Sequence, residues 1–140
     1  MNWRSAASQR DQDDLDNLLH DSIGVAGEML GGAAGFAPFM LVIGTDGERA
    51  MRRLGGAFSG EDSILDSLTF DDDRRDLRAR ATVYAVTVRQ PFVGDAIKVA
   101  AEHAGGIAID ILVPYAMDDE SVNIDMNGAN ATRGVRRLWS

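Results

Sequence analysis

Leu15, Leu18, Leu19, Ile23, Ala26, Met29 and Leu30 recur at steps of three and four, which places them on one face of a helix. The pattern predicts that helix from Asp11, with Asp11, Asp13 and Asp14 in its first turns, where the helix dipole favours anions. Gly31 and Gly32 end it, and residues 1–8 read as a frayed start. The pattern then changes. Phe39 to Ile43 is apolar without a break, as in a strand covered on both faces. "TDG" supplies a turn, and Glu48 to Leu54 returns as a polar edge strand whose Arg49, Arg52 and Arg53 oppose unwanted pairing. Ser59 and Asp62 resemble a capping box ahead of Ile64, Leu65 and Leu68. The helical pattern breaks at "TF" and restarts in "DDDRRDLRAR", acids first and arginines last, which gives two short helices or one kinked helix.

From Ala81 the pattern is strand again: "ATVYAVTVR", "DAIKVAAEH", "IAIDILV" and "SVNIDM". "NGANATRG" reads as a loop, and "VRRLW" as a short edge strand or a docked tail, so 127–140 is expected to be loop and tail. The chain is thus expected to form a single α+β domain over 1–140. Its sheet is mostly antiparallel, with about five strands in the order helix-β-β-helix-β-β-β and helices packed on the sheet.

The hairpin inside "AAEHAGGIAIDILVPY" can be placed by parity. Ile97, Val99, Ala101 and His103 share one strand face, while Lys98 and Glu102 share the other. Opposed residues point the same way. A three-residue turn, Ala104-Gly105-Gly106, pairs His103 with Ile107, Ala101 with Ile109 and Val99 with Ile111, so the branched residues agree. A two-residue turn would set one apolar row outward. The neighbours Glu102 and His103 therefore point to opposite faces and form no acid–base dyad with each other. His103 is expected at the rim of the apolar face, and Glu102 in a solvated patch with Lys98 and Asp110.

Composition narrows the function. The net charge of −8 disfavours phosphate backbones and anionic lipid surfaces, and it suits a basic protein partner. The chain has no cysteine, so disulfides and thiolate zinc sites are excluded. Thirteen of the fourteen basic residues are arginine, a bias that points to a bacterial source. The start "MNWRSAASQRDQDD" lacks the apolar core of a signal peptide, and a cytoplasmic location is expected. The stretch 23–44 is long enough to span a bilayer, but Glu28, Pro38 and six glycines favour helix, loop and strand.

Known chemistries are not spelled out. No glycine cluster matches a phosphate loop or a dinucleotide fingerprint, and no serine stands in a nucleophile elbow. Asp71, Asp72, Asp73 and Asp76 lack calcium-loop spacing and are explained as a helix start. His20 falls toward the polar side of the first helix. The tail carries Arg133, Arg136, Arg137 and Trp139, read as intramolecular or subunit contacts and not as a nucleic-acid platform. No catalytic residue, metal ligand or cofactor is assigned. The residues left as a candidate ligand-binding set are His103, Tyr115, Asp118, Asp119 and Glu120.

Two resemblances add to this. The order of elements is similar to that of roadblock and profilin-like domains, in which one five-stranded sheet has its first strand in the middle. "GFAPFMLVIGTDGE" followed by "GDAIKVAAEHAGGIAIDILVPY" resembles a set of small uncharacterised bacterial proteins over about residues 30 to 115. The shared motifs are structural, so they imply a fold and no activity. The expectation is a non-enzymatic bacterial binding or regulatory module, or a homo-oligomeric one. An acidic immunity or antitoxin-like protein and a small enzyme using His103 are the alternatives.

Overall fold

The computed structural model describes residues 5, 7–30, 36–53, 61–90, 92–118 and 121–139. The glycine loop at 31–35, the Ser59 cap, Asp119 and Glu120 lie outside them.

Helix α1 runs Gln9–Leu30. It starts earlier than Asp11 because Ser8, assigned to a frayed start, caps it: the Asp11 N–H donates to Ser8 Oγ at 3.2 Å. Strands β1 (Phe39–Gly44) and β2 (Arg49–Arg53) form the first hairpin, with Gly47 at φ 87° in its turn. Two short helices follow, α2 (Glu61–Leu68) and α3 (Asp73–Asp76). Then come β3 (Leu77–Val88), β4 (Gly94–His103), β5 (Ile107–Asp118), β6 (Ser121–Ile124) and β7 (Asn130–Arg133).

The architecture is α+β with one antiparallel sheet, and two details correct the expectation. The sheet has seven strands, not about five, in the order β2-β1-β3-β4-β5-β6, with β7 also paired to β5. β7 lies in the stretch assigned to loop. Its four residues pair with Ile109 to Leu112, whose outer edge would otherwise stay open. The other correction concerns "LRAR", which belongs to strand and not helix: α3 is only four residues long.

Both faces of the sheet are covered. α1 lays Leu15, Leu18, Ala26 and Leu30 on Phe39, Leu41, Ile43, Ala79, Ala81, Val83, Ile97, Val99 and Ile111. On the opposite face α2 lays Ile64, Leu65 and Leu68 on Met40, Val42, Leu77 and Tyr84. β1 supplies alternate residues to both cores, which is why its sequence is apolar throughout. Each fully buried Leu, Ile, Val, Phe or Met among them contributes about 1.5–3 kcal/mol. β2 is an edge strand, as its arginines suggest.

One irregularity positions the site. Ile43 pairs with Ala79 but Gly44 pairs with Leu77, so Arg78 is an extra residue in β3. This bulge turns the strand: Leu77 packs with the α2 core and Ala79 with the α1 core. Arg78 is thereby aimed at α1. None of the described helices is long and apolar enough to cross a membrane.

Candidate functional site

The β4–β5 hairpin has the three-residue register: His103 pairs with Ile107, Ala101 with Ile109 and Val99 with Ile111. Gly106 takes φ 108°, the left-handed conformation this turn requires. Glu102 and His103 do point to opposite faces. Neither ends where the sequence suggested, because both are buried, at 4% and 1% exposure.

On the α1 face His103 closes a charged cluster. Its Nε2 lies 2.9 Å from Asp14 Oδ2 and 3.4 Å from Asp11 Oδ1. Arg78 donates to Asp14 through Nε at 3.0 Å and Nη2 at 2.9 Å, a bidentate fork. The N–H of Gly105 donates to His103 Nδ1 at 2.9 Å, so Nδ1 must present a lone pair. The proton of the ring therefore sits on Nε2, facing the carboxylates. Burial by itself would push the Asp14 carboxyl up, but the bonds from His103 and Arg78 and the Arg78 charge outweigh it and hold the carboxyl below its ordinary value.

Three buried groups with ligand atoms within 4.8 Å, on Asp11, Asp14 and His103, invite a metal reading. The bonding pattern fits a cation poorly. A metal would need a bare Nε2, whereas the Gly105 bond puts the proton there. It would also sit beside the Arg78 guanidinium, which already takes both Asp14 oxygens. The cluster reads as a clamp between α1 and the hairpin. Space is tight there: a Cβ on Gly105 would run into the Asp11 carboxylate.

On the opposite face Glu102 sits across the β3–β4 ladder from Arg80, with Oε2 3.3 Å from Arg80 Nη2. Arg80 also donates to Thr69 Oγ1 at 2.8 Å. Burial pulls the Arg80 guanidinium below its ordinary value, and the Glu102 charge opposes that. Glu102 Oε1 accepts the backbone N–H groups of Arg137, Leu138 and Trp139 at 2.8, 3.0 and 3.1 Å. Three consecutive N–H groups converging on one carboxylate form an anion nest. This overturns the solvated-patch reading of Glu102. Lys98 and Asp110 are close to each other, at 3.9 Å, but Glu102 is taken by other partners.

A third buried pair ties β2 to α3. Arg52 grips Asp73 through Nη1 and Nη2 at 2.7 and 2.8 Å, and the Phe70 N–H donates to Asp73 at 2.7 Å. Burial would raise the Asp73 carboxyl, but these bonds and the Arg52 charge hold it low. The helix-start reading of this acidic run therefore misses its main contact, with Arg52.

The sequence-derived candidate set is not brought together. Tyr115 lies eight residues along β5 from the partner of His103, roughly 26 Å at about 3.3 Å per residue. Its phenol is pushed up by burial and by the Asp95 charge. Asp118 ends β5, paired with Ser121, at the same far end. Asp119 and Glu120 are outside the described residues. His20 is exposed on α1, as its place in the helix pattern suggests.

Two small cavities flank the Arg80–Glu102 pair. One, of about 90 Å³, is lined by Arg80, Ala100, Glu102, Asp110 and Val135, among others. The other, of about 180 Å³, is lined by Leu65, Asp66, Thr69, Arg80, Arg137 and Leu138. A wider open groove of about 440 Å³ lies on the α1 side, lined by Asp21, Val25, Glu28, Leu41 and Met51 among others, and Arg49 donates to Asp21 there at 2.7 Å. No family model, curated protein or solved structure matches the chain.

Residues missed by the sequence reading carry most of this chemistry. Asp11 and Asp14 had a usable signal: with Leu15, Leu18 and Ser22 they fall on one helical stripe, all buried. Acids on an apolar stripe need buried partners.

Proposed function

We propose that the protein is a non-enzymatic binding module that receives a basic polypeptide segment in the groove between α1 and the β1–β2 edge. The observation that carries the reading is the make-up of that groove. It is open, Val25, Leu41 and Met51 give it apolar lining, and Glu28 and Asp21 add acid, with Asp21 also taking Arg49 Nη1 at 2.7 Å. The chain's net charge of −8 adds long-range attraction for a cationic partner. An immunity or antitoxin-like protein is the special case in which that partner is a basic toxin. Burial of His103 at 1% exposure, with both ring nitrogens engaged, weighs against an enzyme built on it.

Self-association through β2 is disfavoured by charge. Antiparallel pairing of two β2 strands about Met51 would set Arg49 opposite Arg53, and like charges directly opposed destabilise a sheet.

The test is a titration with two labelled nonapeptides, one alternating Lys and Leu, the other Glu and Leu. The protein should bind the first and not the second. Combining Asp21→Asn with Glu28→Lys should weaken that binding about tenfold or more, the equivalent of about 1.4 kcal/mol. Equal binding of both peptides, no binding of either, or indifference to the double substitution would overturn the proposal.

A further inference from the structure

We propose that residues 134–139 form a displaceable strap, latched on Glu102, that covers the Arg80–Glu102 cleft on the sheet face opposite the groove. The strap is held by main chain more than by side chains. Gly134 N–H donates to Ala108 O at 2.9 Å where the strap begins. Beyond that point three consecutive N–H groups, of Arg137, Leu138 and Trp139, donate to one carboxylate, Glu102. A second tie runs to α3, where Arg74 Nε donates to Leu138 O at 2.9 Å and Trp139 Nε1 to Arg74 O at 3.3 Å.

Little apolar surface backs these bonds. Val135 is 67% exposed and Arg136 and Arg137 are exposed, while Leu138 and Trp139 are half-buried, Trp139 against the α2 core. A segment with few buried apolar contacts, three of whose N–H groups depend on one carboxylate, opens locally, at a lower free energy than the sheet beneath it.

Lifting the strap would change the surface sharply. Val135 and Arg137 wall the 90 Å³ cavity, and Arg137 and Leu138 wall the 180 Å³ one. Both would open together, with Arg80 in the lining of each. A guanidinium and a carboxylate that are now almost fully buried would then face a cleft flanked by Leu65 and Ala100. While it is down, the strap keeps Arg80 and Glu102 out of solvent.

The entry to the strap is set by close packing. A Cβ on Gly134 would come within 3.0 Å of Ile109 N and 3.1 Å of Ala108 C, backbone atoms that cannot step aside. Gly134→Ala therefore strains the entry to the strap without touching Glu102, whereas Glu102→Gln removes the charge that the nest holds.

Amide hydrogen exchange on the full chain reads both variants, with and without low urea. In the wild type, the amides of 137–139 should exchange by local opening, at rates nearly independent of urea. Those of Val99 and Ala101 in β4 should follow global unfolding. Gly134→Ala and Glu102→Gln should each speed 137–139 by about tenfold or more, the scale of one lost charge-assisted bond. Under Gly134→Ala the β4 amides should stay unchanged. If the wild-type strap amides exchange with the same urea dependence as β4, or if Gly134→Ala speeds strap and sheet alike, the strap is part of the cooperative core and the proposal falls.

Discussion

At the end of β4 two neighbouring residues are buried by different means. His103 is closed in by the Asp11 and Asp14 side chains from α1, with Arg78 behind Asp14, and by one backbone N–H, of Gly105. Glu102 is closed in by one side chain, Arg80, and by three backbone N–H groups of the strap. The first cluster lies under a 22-residue helix whose apolar stripe is fully packed. The second lies under a short segment whose Val135, Arg136 and Arg137 are exposed. Equal burial therefore does not mean equal rigidity. A charge held by a packed helix is fixed for as long as the domain is folded, while a charge held by a strap is fixed only while the strap is down.

Substitutions can separate the two sides. The largest cost should come from Asp14→Ala, which leaves Arg78 and His103 without their common partner. Breaking a buried pair in this way costs about 3–5 kcal/mol, read as a fall in the urea midpoint. The effect should also depend on pH. The folded Asp14 carboxyl lies below its ordinary value, so its contribution is present above the unfolded value near 3.9 and is lost as pH falls through the folded one. The stability gap between wild type and Asp14→Asn should be full at pH 6 and should close in acid. A gap that stayed constant down to pH 3 would mean the carboxylate is not what the clamp uses.

Glu102→Ala should cost less, about 2–3 kcal/mol. Arg80 loses its counter-charge, but the strap N–H groups can turn to water. If this substitution proves as costly as Asp14→Ala, the strap is as firmly packed as the helix and the contrast between the faces fails. The smallest effect should come from Gly105→Ala. Its methyl group would displace the Asp11 carboxylate and leave the Asp14 fork in place, at about 1–2 kcal/mol. A thermal melt showing no change would mean that Asp11 is free to move and contributes little to the clamp.

Parity made part of this legible in advance. The isoleucine and valine rows of β4 and β5 agree only with a three-residue turn, and the structure has that turn. The unbroken apolar run of β1 called for cover on both faces, and it has it. What stayed hidden depended on contacts far apart in the chain. Asp14 is 64 residues from Arg78 and 89 from His103, separations that no local pattern reports. Glu102 was misplaced for a sharper reason. "LRAR" read as the end of a helix, so Arg80 had no cross-strand place opposite Glu102, and Lys98 and Asp110 were left as its nearest charges. The acids at the start of the "DDDRRD" run hid that boundary, because they mark a helix start whether the helix lasts four residues or ten. The scattering of Tyr115 and Asp118 to the far end of the hairpin follows from strand length alone.

The 89-residue separation between Asp14 and His103 has a consequence for synthesis. At about 5–20 residues per second, roughly 4 to 18 s pass between the emergence of one and the other. During that interval α1 has its acidic and apolar stripe made but neither the imidazole nor the β4–β5 surface that will bury it. An amphipathic helix waiting that long keeps its apolar stripe open to whatever surrounds it. The strap, whose N–H groups follow Glu102 by only 35 to 37 residues, closes soon after the sheet it covers.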